Sequence, residues 1–348
     1  MVRRAKMGEQ MSVAVVVLTA MIGACGMPGP DETSQTTETP APPTTAARVA
    51  FYQDCWNLFN TKAWDQFAAC YTADAESENV DSGMPAAHGT EAVLKGAKDF
   101  VAAFPDISGS LQLVVAGDQE IAALGLLTGT HTGPLPGGPE PIPATNKPIG
   151  LMMGHVVVAD GTSSAIAREL IYNENGTMMA QLGLSPAPAR PVMTSGVATP
   201  VVVIASGSET EAANVDAMRA QFDRLNAHDV PGLLSYNADT VVFHSLPDPA
   251  DTTGADFAAR VEGYFAGFPD VKVTIESIFG AGDYVVVRGV FEGTNTGAAP
   301  TMGITSPTGK AVNVHFLEFT RMENGKVVED WLIYDGMAFA TQLGMMGS

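Results

Sequence analysis

The residues best suited to chemistry lie close to the end of the chain. Glu329 and Asp330 are adjacent acids, Trp331 follows them, and Asp335 closes the same run. Burial of a carboxylate among aromatic side chains disfavours its charged form and raises its pKa toward neutrality, where a general base works best. This combination of residue types is therefore suited to general acid/base catalysis.

Two histidines, His244 and His315, extend this set. An imidazole beside the carboxylate could polarise a carbonyl group or stabilise an enolate. Structural roles are the alternative interpretation: His244 would end a strand at the surface, and His315 would be a hydrogen-bonded core residue. Glu329 and Asp330 would then form a solvated strand edge, whereas Trp331 belongs to the core under either interpretation.

The two acids must face opposite ways if this run is a strand, because successive side chains alternate between the two faces. Glu329 then shares a face with Trp331 and Asp335, which gives a mixed polar and aromatic wall. We favour Glu329 as the base for that reason. A pocket built on the opposite face would select Asp330 instead.

Other kinds of reactive site find no support in the sequence. No glycine-rich phosphate loop precedes a predicted helix, the six histidines are scattered without metal-ligand spacing, and no Gly-x-Ser-x-Gly motif occurs. We therefore expect neither a metal ion nor a cofactor.

An internal repeat defines the elements that must position these residues. Three short motifs recur in the same order at nearly constant spacing: 104–106 with 268–270, 129–133 with 293–297, and 181–183 with 342–344. Such self-similarity indicates a tandem duplication. The predicted units are 48–185 and 209–348, joined by a proline-containing linker at 186–208 whose apolar run at 201–204 could add an edge strand.

The second unit shows the clearer periodicity. Apolar residues spaced by three and four predict helices over 213–227 and 256–268, followed by strands at 271–279, 284–292, 311–321 and 326–334. Helices followed by a long antiparallel meander indicate an α+β domain in which a curved sheet wraps the helices. Such a cone leaves a pocket open at one end.

The second unit resembles the SnoaL-like polyketide cyclase, or ester cyclase, family of NTF2-like cone folds. The matching segments are 226–229, Asp239 with His244, Gly254, 267–270, 293–297, His315, 324–335 and 342–344. The resemblance implies two tandem cones and a cofactor-free reaction on a small apolar carbonyl compound. In that reaction a carboxylate at the bottom of the cone removes a proton activated by a neighbouring carbonyl, and the carbanion closes a ring.

The same resemblance implies which residues form the pocket: His244, His315, and Glu329 or Asp330, with Asp335 closing the motif. The first unit departs from this pattern. By the repeat offset Asn79 stands where His244 does, and His315 corresponds to a position near Met152. We expect chemistry in the second unit rather than in this degenerate one. The alternative is a non-catalytic envelope protein whose cones bind an apolar ligand or serve as association surfaces.

The first 24 residues are predicted to be a lipoprotein signal peptide. Arg3, Arg4 and Lys6 precede an uncharged apolar run at 11–24, too short to span a bilayer. The run ends in Ile-Gly-Ala-Cys, which resembles the lipobox of bacterial lipoproteins and implies acylation of Cys25. We expect an exported, membrane-anchored protein of the periplasm, outer membrane or cell surface, with 25–47 as a tether. An ordinary secretory cleavage and a retained membrane helix remain alternatives.

Composition excludes some partners. The 348 residues contain 18 Lys and Arg against 38 Asp and Glu, a formal net charge of -20. Nucleic acid and anionic lipid are therefore not expected as charge-driven partners. Cys55 and Cys70 would form a disulfide in an oxidising compartment or remain buried thiols. Apolar outer sheet faces lead us to expect that the two domains pair as an intramolecular pseudo-dimer.

Overall fold

The protein is described by a computed structural model that covers residues 41–137 and 140–346. The predicted signal segment, Cys25 and the tether up to residue 40 lie outside the described residues. None of the helices in the described part is long and apolar enough to cross a membrane.

Two consecutive domains follow the same order of elements. The first consists of α1 (Thr45–Asn60), α2 (Trp64–Ala68), β1 (Tyr71–Asn79), β2 (Ala87–His88), α3 (Thr90–Ala103), β3 (Ser108–Ala116), β4 (Glu120–Thr130), β5 (Pro148–Ala159), β6 (Ile166–Tyr172) and α4 (Asn175–Gln181). After β7 (Val201–Ile204), the second consists of α5 (Glu209–Asn226), α6 (Val230–Leu234), β8 (Asn237–Ser245), β9 (Thr252–Thr253), α7 (Gly254–Gly267), β10 (Lys272–Ala281), β11 (Tyr284–Thr294), a 3-10 turn (Pro300–Met302), β12 (Ala311–Glu323), β13 (Lys326–Ile333) and α8 (Gly336–Gln342).

Each domain has one curved sheet. The strand order is β2-β1-β6-β5-β4-β3-β7 in the first and β10-β11-β12-β13-β8-β9 in the second. The predicted α+β architecture with tandem copies is confirmed, and β10 to β13 form the predicted antiparallel meander. The predicted meander lacked one strand of each sheet. β8 pairs in parallel with β13, and β1 pairs in parallel with β6. This parallel strand brings His244 beside Trp331.

Local sequence explains where the second domain begins. Ser208 accepts a hydrogen bond from the backbone N–H of Glu211, and the Glu211 carboxylate accepts from the Ser208 backbone, which is a capping box. That carboxylate also accepts from Gly282, in the turn between β10 and β11. Burial alone would raise the pKa of Glu211, but these backbone hydrogen bonds lower it to about 2.

The linker between the domains has one regular element. Its apolar tetrad, Val201–Ile204, pairs in parallel with β3 and forms the edge of the first sheet. In α1, Cys55 forms a disulfide with Cys70, which lies just before β1, and their Cα atoms are 6.0 Å apart.

The outer faces of the two sheets pack against each other and form a core of their own. It contains Leu113, Val115 and Leu124 from the first domain and Leu317, Phe319 and Ile333 from the second, all buried. The sheets approach closely at Gly154, where an added Cβ would lie 2.6 Å from Leu317 Cδ2. Each sheet therefore buries both of its faces, one against its own helices and the other against the second sheet.

Ion pairs and hydrogen bonds surround this core. Arg288 pairs with Glu120 at 2.7 Å, and His315 Nδ1 contacts Asp81 Oδ1 at 2.8 Å. The hydrogen bond with Asp81 raises the pKa of His315, and burial acts in the opposite direction. The folded state therefore holds this proton more tightly than the unfolded chain. The resulting stabilisation is fully present below the ordinary histidine pKa of 6.5 and is lost as the pH rises through the raised value.

We expect His315→Gln to lower the thermal unfolding temperature more at about pH 5.5 than at about pH 8.5. The difference should stay below about 1 kcal/mol, because a half-exposed pair is screened by water. Unfolding scans at both pH values test this. His88→Gln is the matched control, since His88 is largely exposed and lies 3.7 Å from Glu76. Equal losses for His315→Gln at the two pH values would contradict the role of this pair.

Candidate active site

An apolar cavity lies inside the second cone, between the helices and the inner face of the sheet. Its volume is about 140 Å³. An apolar cavity of roughly 150 Å³ holds benzene, so there is room for a small ring. The walls are mainly aromatic and aliphatic, with Phe222 on α5, Phe257, Val261 and Phe265 on α7, and Val241, Phe291 and Phe316 on the sheet.

Two carboxyl groups face this cavity from neighbouring strands. Glu318 on β12 and Asp330 on β13 both line it. The Thr320 hydroxyl lies 2.9 Å from Asp330 Oδ2 and 3.4 Å from Glu318 Oε1. Burial raises the pKa of Asp330 well above its usual range, and the nearby charge of Glu318 raises it further. Burial also raises the pKa of Glu318. Two adjacent buried carboxyls do not both ionise easily, so their proximity favours retention of a proton by the pair.

Amide groups add a hydrogen-bond donor to the same cavity. Gln221 Nε2 donates to Asn237 Oδ1 at 3.1 Å, and both residues line the cavity. Asn237 Nδ2 is buried and has no hydrogen-bond partner among the described residues. A buried donor without a partner is costly, so an acceptor oxygen of a ligand would be stabilised there.

A tyrosine supplies a further donor. Arg260 Nε donates to the Tyr264 hydroxyl at 2.8 Å, which leaves the Tyr264 proton free to donate into the cavity that this residue lines. Burial raises the pKa of Tyr264, although Arg260 acts in the opposite direction, so the phenol stays protonated. Arg260 is itself held by an ion pair with Asp248 and lies over the Phe243 ring.

The structure reverses our choice between the two adjacent acids. Asp330 lines the cavity, whereas Glu329 lies on the outer face of β13, where its carboxylate contacts Arg321 and His244. The predicted alternation is present, but the face was wrong. A mixed polar and aromatic wall did not identify the pocket, because the outer face also carries buried aromatic and apolar residues.

The remaining sequence candidates also lie outside the cone cavity. His244 stacks on Trp331 with ring centroids 5.2 Å apart, and both face the space between the domains. His315 contacts Asp81 of the first domain. Asp335 accepts hydrogen bonds from the first backbone N–H groups of α8 and so caps that helix. His244, Glu329 and Trp331 are thus brought together, but not with Asp330.

Sequence reasoning did not select Glu318, Tyr264, Asn237 or Gln221. Glu318 had a usable signal, because strand alternation places it on the same face as Thr320, which pairs with Asp330. Within the described residues, no group of three or more His, Cys, Asp or Glu side chains has an arrangement that could hold a metal ion.

A model of the SnoaL-like polyketide cyclase family matches residues 46–182 and again 215–343. The chain belongs to this family. AclR of Streptomyces galilaeus is 27% identical, covering 39% of this chain and 99% of its own, with a TM-score of 0.36. IdmH of Streptomyces antibioticus is 27% identical, covering 38% and 98%, with a TM-score of 0.33. A SnoaL-like structure from a Jannaschia species is 23% identical, covering 40% and 97%, with a TM-score of 0.37. A search of curated proteins found no match.

The first SnoaL-like domain carries a different set of polar groups inside its cone. Strand register aligns His155 with Glu318, and Glu169 with Asp330. Tyr52 contacts His155 Nδ1 at 2.6 Å, and His155 Nε2 contacts Glu169 at 2.7 Å. The same carboxylate also accepts hydrogen bonds from Tyr71 at 2.8 Å and from Ser77.

Trp56 fills the space beside this network. A Cβ added at Gly125 would lie 2.5 Å from the Trp56 ring, and one added at Gly109 would lie 2.6 Å from it. The register of the parallel strands also corrects the predicted match between Asn79 and His244. Glu78, not Asn79, occupies the position in the first domain that is equivalent to His244. The polar groups of this network, Tyr52, His155, Glu169, Tyr71 and Ser77, are satisfied by one another, so none of them is an unpartnered donor of the Asn237 type.

We expect wild-type stability to fall with rising pH more steeply than that of Asp330→Asn. The raised pKa means that the folded state binds more protons than the unfolded chain, so stability is lost as the pH rises above about 4. Unfolding temperatures at about pH 5 and about pH 8 measure this slope. Asp239→Asn, at an exposed position of β8, is the control and should keep the wild-type slope. Parallel curves for wild type and Asp330→Asn would contradict the buried, protonated pair.

Proposed function

We propose that the second domain catalyses cofactor-free acid/base chemistry on a small apolar carbonyl compound. The observation that carries the proposal is the Glu318 and Asp330 pair, which faces a mainly apolar cavity and in which both carboxyl groups have raised pKa values. Membership of the SnoaL-like polyketide cyclase family supports a cyclase-type reaction. A carboxyl group with a raised pKa can take and return a proton near neutral pH, as a general acid/base must.

The ionised carboxylate of the pair removes a proton from the carbon next to the substrate carbonyl. The C–H electron pair moves onto the carbonyl oxygen and gives an enolate. Donors aimed at the developing negative charge stabilise it, and the donor-bearing residues Tyr264 and Asn237 line the same cavity. The enolate carbon then attacks a second carbonyl of the substrate and closes a ring, or takes the proton back. The apolar walls exclude water from the intermediate.

Deuterium exchange at the α-carbon of a panel of β-keto esters tests the proposal. We expect wild type to accelerate exchange and Asp330→Asn to lose on the order of 10²- to 10⁴-fold of the rate. Glu329→Gln is the matched control, because it removes the adjacent carboxylate on the outer face and should retain most of the activity. Wild-type exchange no faster than that of Asp330→Asn, with the esters still bound, would instead support the ligand-binding alternative.

We further propose that the protein is an exported lipoprotein anchored through Cys25. The basic residues before the apolar run, the Ile-Gly-Ala-Cys motif and the tether composition support this proposal. The disulfide between Cys55 and Cys70 also supports an oxidising compartment, because such bonds are rare in the cytosol.

Cys25→Ser should abolish incorporation of a labelled fatty acid and release the protein from the membrane fraction, because the acyl chains provide the anchor. Metabolic labelling and cell fractionation measure both effects. Cys55→Ser is the control and should still be labelled. A Cys25→Ser protein that remains in the membrane fraction would exclude a lipid anchor at this residue.

A further inference from the structure

A second and larger cavity lies between the two domains. Its volume is about 470 Å³, within the range of pockets that hold small-molecule ligands. Both sheets contribute their outer faces, with Leu124 and Met152 from the first domain and Leu246 and Trp331 from the second. This cavity is separate from the one inside the second cone, because it lies on the opposite face of β13.

The linker forms one wall of this interdomain cavity. Arg190, Met193 and Val197 line it and lie in a part of the linker without helix or strand. Hydrogen bonds hold this wall in place: Met193 N donates to Gly150 O at 3.1 Å, and Val197 N donates to Gln112 Oε1 at 2.7 Å. The linker lies directly on β5, since a Cβ added at Gly150 would be 1.9 Å from Met193 O.

Arg190 leaves one donor unused at this cavity. Its Nη1 pairs with Asp251 at 2.7 Å, and its Nη2 donates to the Ser245 carbonyl at 2.9 Å. Its Nε is buried and has no hydrogen-bond partner among the described residues. A buried donor of this kind favours a ligand that brings an acceptor oxygen.

The other charged groups that line the cavity are already paired or neutral. Asp251 and Glu329 contact the two ring nitrogens of His244 at 3.0 and 3.2 Å. Burial raises the pKa of Glu174, which favours its neutral form. Glu329 also pairs with Arg321 at 3.1 Å, and Asp251 pairs with Arg190 at 2.7 Å. The charged groups of the wall are thus paired with one another, which favours an uncharged ligand.

We propose that the interdomain cavity binds an uncharged, largely apolar ring compound whose oxygen accepts a hydrogen bond from Arg190 Nε. The aliphatic walls and Trp331 contact the ring system. This site does not depend on the reaction proposed for the second cone.

Titration with prodan, an uncharged naphthalene with one ketone oxygen, tests this site in the chain that follows residue 25. Met152→Trp places a larger side chain in the interdomain cavity and should weaken one class of prodan binding at least tenfold. Phe265→Trp makes a comparable change in the cone cavity and should leave that class unchanged. Unaltered binding to Met152→Trp would overturn the proposal.

Arg190→Lys provides a second variant that does not change the packing of the sheets. Lysine keeps a positive charge opposite Asp251 but lacks the Nε–H donor, so prodan should bind roughly five- to tenfold more weakly. The anionic dye anilinonaphthalene sulfonate should bind this site more weakly than prodan does. Unchanged affinity in Arg190→Lys, or tighter binding of the anionic dye that Met152→Trp abolishes, would also overturn the proposal.

Discussion

The packing of the two sheets through their outer faces is the constraint on which the rest of the structure depends. Leu317, Phe319 and Ile333 are buried against the first domain. Because the outer face of each sheet is apolar as well, central strands such as β4, β5 and β12 carry buried residues on both faces. Inside the second cone, Glu318 and Asp330 interrupt a mainly apolar wall, and the proposed reaction is placed on this inner face.

The two copies share one fold but carry different polar side chains inside their cones. In the first cone Glu169 accepts from His155, Tyr71 and Ser77, and the Trp56 ring occupies the space beside them. In the second cone the equivalent acid, Asp330, faces another carboxyl group and an open cavity. A fully satisfied network stabilises a fold, whereas a carboxyl pair with a raised pKa costs stability and is retained where proton transfer is useful. This contrast supports the proposed placement of the reaction in the second copy.

The sequence predicted the elements well and the site only partly. Repeated motifs and periodicity located both copies, the helices and the antiparallel meander, because these depend on local patterns. The parallel pairing of β8 with β13 depends on contacts distant in sequence, and it was not foreseen. Alternation correctly separated Glu329 from Asp330, yet it could not tell which face is internal when both are buried. Tyr264 and Asn237 belong to the site only through tertiary packing, and no motif marks them.

Infrared difference spectroscopy of the carboxyl groups at neutral pH is the most direct test of a buried, protonated Asp330. We expect a protonated carboxyl band in the wild type that is lost in Asp330→Asn, shifted in frequency in Glu318→Gln and kept unchanged in Glu329→Gln. Burial still holds the proton on Asp330 when Glu318 is replaced, but its hydrogen-bonding surroundings change. A band that survives unchanged in Asp330→Asn, or that disappears in Glu329→Gln, would contradict the placement of the buried proton on the inner face.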